Sequence, residues 1–415
     1  MKNTEYFRNK NILIIGLQRS GLSAANLLCR LSAKVSITDN QDNSIIRHNM
    51  GCLKSDNVKV EVGIHSRDFS KEAELVIISP GVPNDSLPVV WAKERGVPVI
   101  SEIELGWMLS PAEIIAITGT CGKTTVTTLV GRMIESWGKR SFTCGNIGNP
   151  FTLEVEKMRE GDFVALEVSS FQLENIYKFK PKIAVILNLS PNHLDRYNDM
   201  QEYIAAKERI FLNQDVNDYL LLNYDDELVR NLSKKAKSKV DYFKKGGSLN
   251  PNQEAVLAIS KILNIEERIV FDLFKNFKGV EHRMEEVLEI NGVKFINDSK
   301  STTTEATVWA LNNIPSPVIL ISGGREKGND YSNVIAAAGN KVKSLVLIGE
   351  AKDRIRQAFK GQVKIFEAQD LKEAVNEAFA FASAGDTVLF SPMCKSFDMF
   401  SNYEERGRLF KEQVS

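Results

Sequence analysis

The stretch from Glu113 to Thr125, EIIAITGTCGKTT, constrains this chain most. An apolar run breaks into a glycine-rich loop and then opens a helix, predicted from Val126 to Trp137. In that order the backbone N–H groups of Gly119 to Thr125 lack intrahelical partners, and the helix dipole adds partial positive charge at the same spot. An anionic phosphate satisfies both. Gly119 and Gly122 allow close backbone approach, Thr120 and Cys121 span between them, Lys123 reaches outer phosphates, and the hydroxyl of Thr124, next to Thr125, suits Mg²⁺. The pattern G-x-x-x-x-G-K-[ST] asks for glycine where Ile117 stands, so the textual match is incomplete. A chance Gly-Lys-Thr in a turn is the competing reading, but the flanking strand and helix signals favour nucleotide triphosphate binding.

At 415 residues the chain has room for about three domains. Its 53 basic residues balance 53 acidic ones, so no net field draws nucleic acid or an acidic membrane, and small polar metabolites are the expected partners. Cys29, Cys52, Cys121, Cys144 and Cys394 form no C-x-x-C pair. That argues against zinc and disulfides and for a reducing cytoplasm. The opening MKNTEYFRNK is polar and leads into a short apolar run, so neither a signal peptide nor a membrane span is expected.

NILIIG (11–16) reads as a buried strand ending in a glycine turn, followed by a helix from Gly21 and a second strand, KVSITD, ending at Asp39. This is a mononucleotide-binding βαβ unit with an acid placed to meet a ribose or base. Gln18 stands where the dinucleotide fingerprint needs glycine, so an NAD-type pyrophosphate fits poorly and a nucleotide held otherwise stays open. ELVIISPG (74–81) is another buried strand. Its end, Ser79-Pro80-Gly81, is either a ligand-facing loop or a plain tight turn. After a helix from Glu102 to Leu109, Ser110-Pro111 is expected to close a first domain, residues 1–110.

In the central domain, expected over 111–278, Glu167 interrupts the apolar run DFVALEVSS near its end, where a charge is costly unless paired or beside a cation. A strand from Ile183 to Leu189 delivers His193. Leaving two strand ends, Glu167 and His193 suit a Mg²⁺ site beside the phosphate loop, although a lone histidine also reads as a surface or satisfied residue. In the helix predicted over 199–212, spacing makes Lys207 a solvated surface residue. The Lys-rich SKKAKSK reads as an exposed face or loop. In a third domain, 279–415, Asn291-Gly292 joins two strands as a hairpin. PVILISGG, KSLVLIGE, VKIFEA and DTVLFSP then alternate with helices, which implies a parallel sheet covered on both faces. Strand-end loops at 297–300, 322–330 and 391–398 suggest an enzyme with several substrates.

TGTCGKTT, GNIG, LEVSSFQLE, NLSPNHLDRY, YIAAKERI, HRME, NDSKSTT, SGGREKGND and SPMCKSFDMFSNYEERG, in that order, resemble the Mur ligases of peptidoglycan synthesis. SSFQLE and the DRY after His193 resemble the branch that adds D-glutamate. The resemblance implies an α/β fold of three domains: a Rossmann-like domain for a UDP-linked substrate, a P-loop ATPase-type domain with a parallel or mixed sheet, and a Rossmann-like domain for the acceptor. It implies an ATP-dependent, cytoplasmic and monomeric ligase joining D-glutamate to UDP-N-acetylmuramoyl-L-alanine through an acyl phosphate and a tetrahedral adduct. Another acceptor, a folate-like substrate or a silent nucleotide-binding relative are the alternatives. By resemblance Lys123 and Thr124 meet ATP and two Mg²⁺ ions, with Glu167 and His193 around the metals and Lys207 carbamylated to supply oxygen ligands. Asn146, Asn250, His282, Arg283, Asp298 and Lys300 would surround ATP. Arg19, Ser20, Asp39, Asn40, Ser79, Pro80, Gly81 and Ser169 would hold the UDP substrate, and Thr302, Lys327, Ser396, Phe397 and Tyr403 the D-glutamate.

Overall fold

Apolar runs such as Ile12–Ile15, Leu75–Ile78 and Ile183–Ile186 are too short for helices and rich in β-branched residues, and they form strands buried along their whole length. The first two are neighbours at the centre of one sheet and the third lies inside another of the three sheets in the computed structural model, which describes residues 1–191, 196–326 and 328–414. Two of the expected site residues, His193 and Lys327, lie outside the described residues.

The first sheet contains β1 (Asn11–Ile15), β2 (Lys34–Asp39), β3 (Lys59–Val62), β4 (Leu75–Ile78) and β5 (Val99–Ser101), all parallel in the order β3-β2-β1-β4-β5. The strand order reverses between β1 and β4, and such a switch point opens a crevice at the carboxyl ends of the strands.

The second sheet contains β6 (Glu113–Thr118), β7 (Ser141–Gly145), β8 (Phe163–Glu167), β9 (Ile183–Ile186), β10 (Tyr219–Asn223) and β11 (Lys239–Phe243), also all parallel, in the order β11-β10-β9-β6-β8-β7. Register pairs Ile117 with Glu167 and Thr118 with Ile186, so the phosphate loop leaves β6 flanked by the ends of β8 and β9. β9 stops at Ile186 rather than Leu189, and β11 begins at Lys239, the last residue of the SKKAKSK segment expected as an exposed face or loop. Only Phe243 of β11 is buried, so this edge strand, KVDYF, places little of its apolar surface in the core.

The third sheet contains β12 (Glu285–Ile290), β13 (Val293–Asn297), β14 (Val318–Gly323), β15 (Val342–Ile348), β16 (Lys364–Glu367) and β17 (Thr387–Phe390). Its order is β12-β13-β17-β14-β15-β16, parallel except for the β12–β13 hairpin. Asn291 and Gly292 both have positive φ, 52° and 78°, as a tight hairpin turn requires.

The first two sheets share one apolar core that includes Phe7, Ile14, Leu109, Phe151, Leu166 and Ile186. Gly106, in the helix Glu102–Leu109, is required there because a Cβ would lie 2.4 Å from the Phe151 ring. Met1–Phe277 accordingly forms one compact unit and Lys278–Ser415 a second. Among the described residues no helix is long and apolar enough to cross a membrane.

Candidate active site

β6 ends at Thr118, and the helix Lys123–Ser136 starts straight after Gly122. Gly119 (φ 152°) and Gly122 (φ 82°) occupy backbone conformations that favour glycine, and a Cβ on Gly122 would meet Asn252 Oδ1 at 2.4 Å. Lys123 curls back so that Nζ donates to the carbonyls of Gly119 (3.0 Å) and Thr120 (2.8 Å). Thr124 is buried, Thr125 partly so, and Cys121 exposed. Two loop amides expected to await phosphate are already engaged. The N–H groups of Thr120 and Cys121 donate to Asn188 Oδ1 at 3.0 and 2.8 Å, and Asn188 Nδ2 donates back to Cys121 O at 3.1 Å. Sequence reading gave Asn188 no role. Its signal is positional: an amide just past the end of the strand neighbouring the loop.

Glu167 closes β8 as a buried carboxylate. Asn146 Nδ2 donates to its Oε1 at 2.7 Å, and Asn146 N donates to Glu167 O at 2.9 Å. Gly145 permits this approach, since its Cβ would sit 2.4 Å from that carbonyl. Lys207 overturns its reading as a surface residue. It is 2% exposed, and Nζ donates to Gly119 O at 2.9 Å and Thr118 Oγ1 at 3.2 Å, beside the Tyr203 ring at 4.8 Å. Burial, and then the Lys123 ammonium, holds its pKa well below the ordinary lysine value. The signal was present: Tyr203, Ala206, Lys207 and Ile210 recur at i, i+3, i+4 and i+7, and all are buried. Tyr203 in turn pairs its hydroxyl with Thr120 Oγ1 at 3.1 Å, and burial pushes its phenol up to about 12. Glu167 and Thr124 present oxygen donors beside the loop, the chemistry Mg²⁺ prefers, so these residues fit a metal-nucleotide.

At the crevice of the first sheet, Asp39 accepts from Leu17 N (2.8 Å) and Gln41 N (2.9 Å), which fixes the turn after β1. Asn40 beside it is exposed. Ser79 Oγ donates to Gly16 O at 3.1 Å, and Ser79 O closes a turn with Val82 N at 3.0 Å. Ser79-Pro80-Gly81 is thus a tight turn and a strand end in the crevice at once. Arg19 Nη2 donates to Gly148 O at 2.8 Å, and Ser20 follows in the first turn of the helix Arg19–Arg30. Ser169 caps Ser170–Leu173 in a reciprocal pair with Gln172. Asn250 does the same for Pro251–Ile262, its Oδ1 accepting from Asn252 N and Gln253 N.

In the second unit, buried His282 (φ 62°) packs its ring on Gly407, where a Cβ would come within 2.3 Å, and pairs Nδ1 with Asn297 Nδ2 at 3.0 Å. Burial lowers its pKa, which favours the neutral ring. Buried Asp298 accepts from Met284 N, Ser301 Oγ and Ser391 Oγ. Desolvation nevertheless pushes it up to about 6, against the pull of hydroxyl donors and Arg283. Lys300 Nζ lies 5.5 Å from the centre of the Tyr403 ring, and Thr302 N donates to Lys300 O. An antiparallel bridge between Arg325 and Lys395 joins the loops after β14 and β17, which brings buried Ser396 and exposed Phe397 beside the 322–326 segment. Arg406, another residue without a role in sequence reading, is 1% exposed. It donates to Ser299 Oγ (3.0 Å), Ser299 O (2.7 Å) and Cys394 O (3.1 Å), and so ties the loops after β13 and β17 together. Burial brings its pKa down to about 10, so it stays charged at neutral pH.

Three family models match in succession: the Mur ligase MurD-like N-terminal domain over 10–101, the Mur ligase middle domain over 117–290, and the Mur ligase glutamate ligase domain over 282–394. The chain belongs to the Mur ligase family. Its relatives are more particular. The protein named UDP-N-acetylmuramoylalanine--D-glutamate ligase in Thermoanaerobacter pseudethanolicus is 39% identical, with 98% of each chain covered. The one of the same name in Chloroherpeton thalassium is 40% identical, with 99% of each covered. The solved UDP-N-acetylmuramate-alanine ligase of Thermotoga maritima shares the fold at a TM-score of 0.61, with 18% identity over 98% of this chain and 99% of that one.

Proposed function

We propose that this chain is an ATP-dependent ligase that adds D-glutamate to UDP-N-acetylmuramoyl-L-alanine, a step in making peptidoglycan precursors. The observation that carries the reading is the convergence of the phosphate loop, buried Glu167 and buried Lys207 at adjoining ends of the second sheet. Relatives similar over nearly the whole chain and named for D-glutamate support the choice of acceptor.

The L-alanyl carboxylate attacks the γ-phosphorus of ATP, the bond to the bridging oxygen breaks, and ADP leaves an acyl phosphate. The D-glutamate amine, having given up a proton, attacks the acyl carbon, and the tetrahedral adduct expels phosphate to leave an amide. Lys123 and the amides opening its helix hold phosphoryl oxygens, and Asn146 orients Glu167. Magnesium, when bound to Glu167, Thr124 and His193 as two ions, supplies further positive charge at the transferring group. Asp298, Arg283, Lys300, His282, Asn146 and Asn250 belong to the ATP site in this reading. Thr302, Lys327, Ser396, Phe397 and Tyr403 form the acceptor pocket. Arg19, Ser20, Asp39, Asn40, Ser79–Gly81 and Ser169 take the UDP substrate. The domains run 1–110, 111–278 and 279–415.

Lys207 is carbamylated in the working enzyme. Its burial favours the neutral amine, which adds CO₂ and releases a proton to give an anionic carbamate beside Lys123. Phosphate release from ATP, Mg²⁺ and UDP-N-acetylmuramoyl-L-alanine tests the whole reading: D-glutamate should stimulate it, and L-glutamate, meso-diaminopimelate or no acceptor should not. Stimulation by a different amino acid would sink the acceptor assignment. In the same preparation ¹³C-bicarbonate should give a carbamate carbon signal that Lys207→Ala removes together with most activity.

A further inference from the structure

One ion pair reaches from the second sheet into the crevice of the first, and the proposed chemistry has not used it. Arg196 Nη2 donates to Glu174 Oε2 at 2.8 Å, with both side chains largely shielded from water. Arg196 also donates to Pro80 O (Nη1, 3.2 Å) and Val82 O (Nη2, 3.4 Å), the carbonyls on either side of Gly81, and its guanidinium carbon lies 4.2 Å from the centre of the Phe171 ring. Glu174 is held from the other side. Its Oε2 accepts from Asn84 Nδ2 and its Oε1 from Tyr197 Oη, both at 2.7 Å, while Asn84 Oδ1 accepts from Asn175 Nδ2 at 2.9 Å.

The pair therefore grips the turn after β4 at Pro80, Val82 and Asn84. In sequence each member follows closely on a residue of the phosphate side: Glu174 comes just after the helix capped by Ser169 beyond Glu167, and Arg196 comes soon after His193. A planar fork that holds a carboxylate and two carbonyls while stacked on an aromatic ring is a task for arginine, not for a generic cation.

We propose that Arg196, fixed by Glu174, is a positioning residue that sets the Ser79-Pro80-Gly81 turn, and the UDP-linked substrate on it, against the phosphate loop. The inference rests on the reading of that turn as the UDP-substrate site. Phosphoryl transfer needs the carboxylate within about 3–3.5 Å of the γ-phosphorus and in line, so a small displacement of this turn is felt in turnover. Affinity for nucleotide alone does not depend on the turn.

Arg196→Met should lower kcat/KM for UDP-N-acetylmuramoyl-L-alanine by about 10- to 100-fold. The Kd for Mg-ADP without that substrate should stay within about threefold of the parent's. Arg196→Lys, which keeps the charge but not the fork, should fall between the two. A donor kcat/KM within about threefold of the parent's, or an equal fall in Mg-ADP affinity, would overturn the proposal. If Arg196→Met does not fold, Asn84→Ala removes one arm of the grip, and the same contrast between donor and nucleotide decides. The parent is assayed first with every acceptor. Stimulation by an amino acid other than D-glutamate overturns the acceptor reading alone, and Arg196 is then tested with that amino acid. If no acceptor stimulates the parent, calorimetric Kd values for the UDP-linked substrate and for Mg-ADP give the same contrast.

Discussion

Asn188 accepts from two consecutive loop amides with a single oxygen and so fixes the loop's curvature before any phosphate arrives. Asn188→Ala should raise KM for ATP about 5- to 10-fold, equivalent to about 1–1.4 kcal/mol of lost organisation, and leave KM for D-glutamate unchanged. Nucleotide titration beside steady-state kinetics checks this. Asn188→Asp keeps the acceptor but puts negative charge against polyphosphate, so it should bind ATP no better than the alanine variant. At this scale sequence reading made geometry legible where a residue's neighbours in the chain carry it, as for the positive φ of Gly119 and Gly122 and the helix that opens at Lys123. It failed where burial decides. Lys207 and Arg406 are long cations on the inner faces of helices, and a charge in an apolar stripe is ordinarily read as an error of the stripe. Asn188 and Arg196 act on segments remote in sequence, and no local pattern announces a partner 67 or 116 positions away.

Elements carry the next level of specificity. The helix Glu102–Leu109 joins the first two sheets: Gly106 admits the Phe151 ring, Glu102 Oε1 accepts from Thr152 N and Oγ1 at 2.7 Å, and Glu104 accepts the N–H groups of Tyr177, Lys178 and Phe179. Gly106→Ala forces the ring aside, and overpacking of this kind costs about 1–3 kcal/mol. Denaturant unfolding should show that loss, with Phe151→Leu in the same chain restoring part of it. The helix bounds were legible to the residue, with Ser-Pro closing one end, and the structure adds a Ser101 cap at the other. Its role as a shared wall was not, since a helix apolar on most sides does not say which sheets it serves. β11 was missed for the opposite reason: a short edge strand that follows a lysine-rich run and buries a single residue looks like a loop.

For the whole molecule, Met1–Phe277 and Lys278–Ser415 should respond differently to acid. Asp298, in the second unit, has its pKa raised to about 6 by burial. From about pH 4 to 6 the unfolded chain gives up this proton while the folded one keeps it. Stability linked to Asp298 is therefore full below about pH 4, falls as pH rises through 6, and levels off above, by up to about 3 kcal/mol. Asp298→Asn should flatten that fall. In calorimetry across this range, the variant should gain on the parent as pH rises, and only in the transition belonging to the second unit. A parallel offset at every pH would show that Asp298 ionises normally.

The apolar core common to the first two sheets also governs how such a chain can be recombined. A cut near residue 110 would strip Leu109 and Phe151 of the neighbours that bury them, whereas a cut at 277/278 falls between compact units. Chimeras that exchange the C-terminal unit for one from a relative with a different acceptor should therefore fold where exchanges at 110 fail. On the proposed assignment of sites, a new amino-acid preference would be inherited as a module, while UDP-substrate binding and the phosphate loop would travel together.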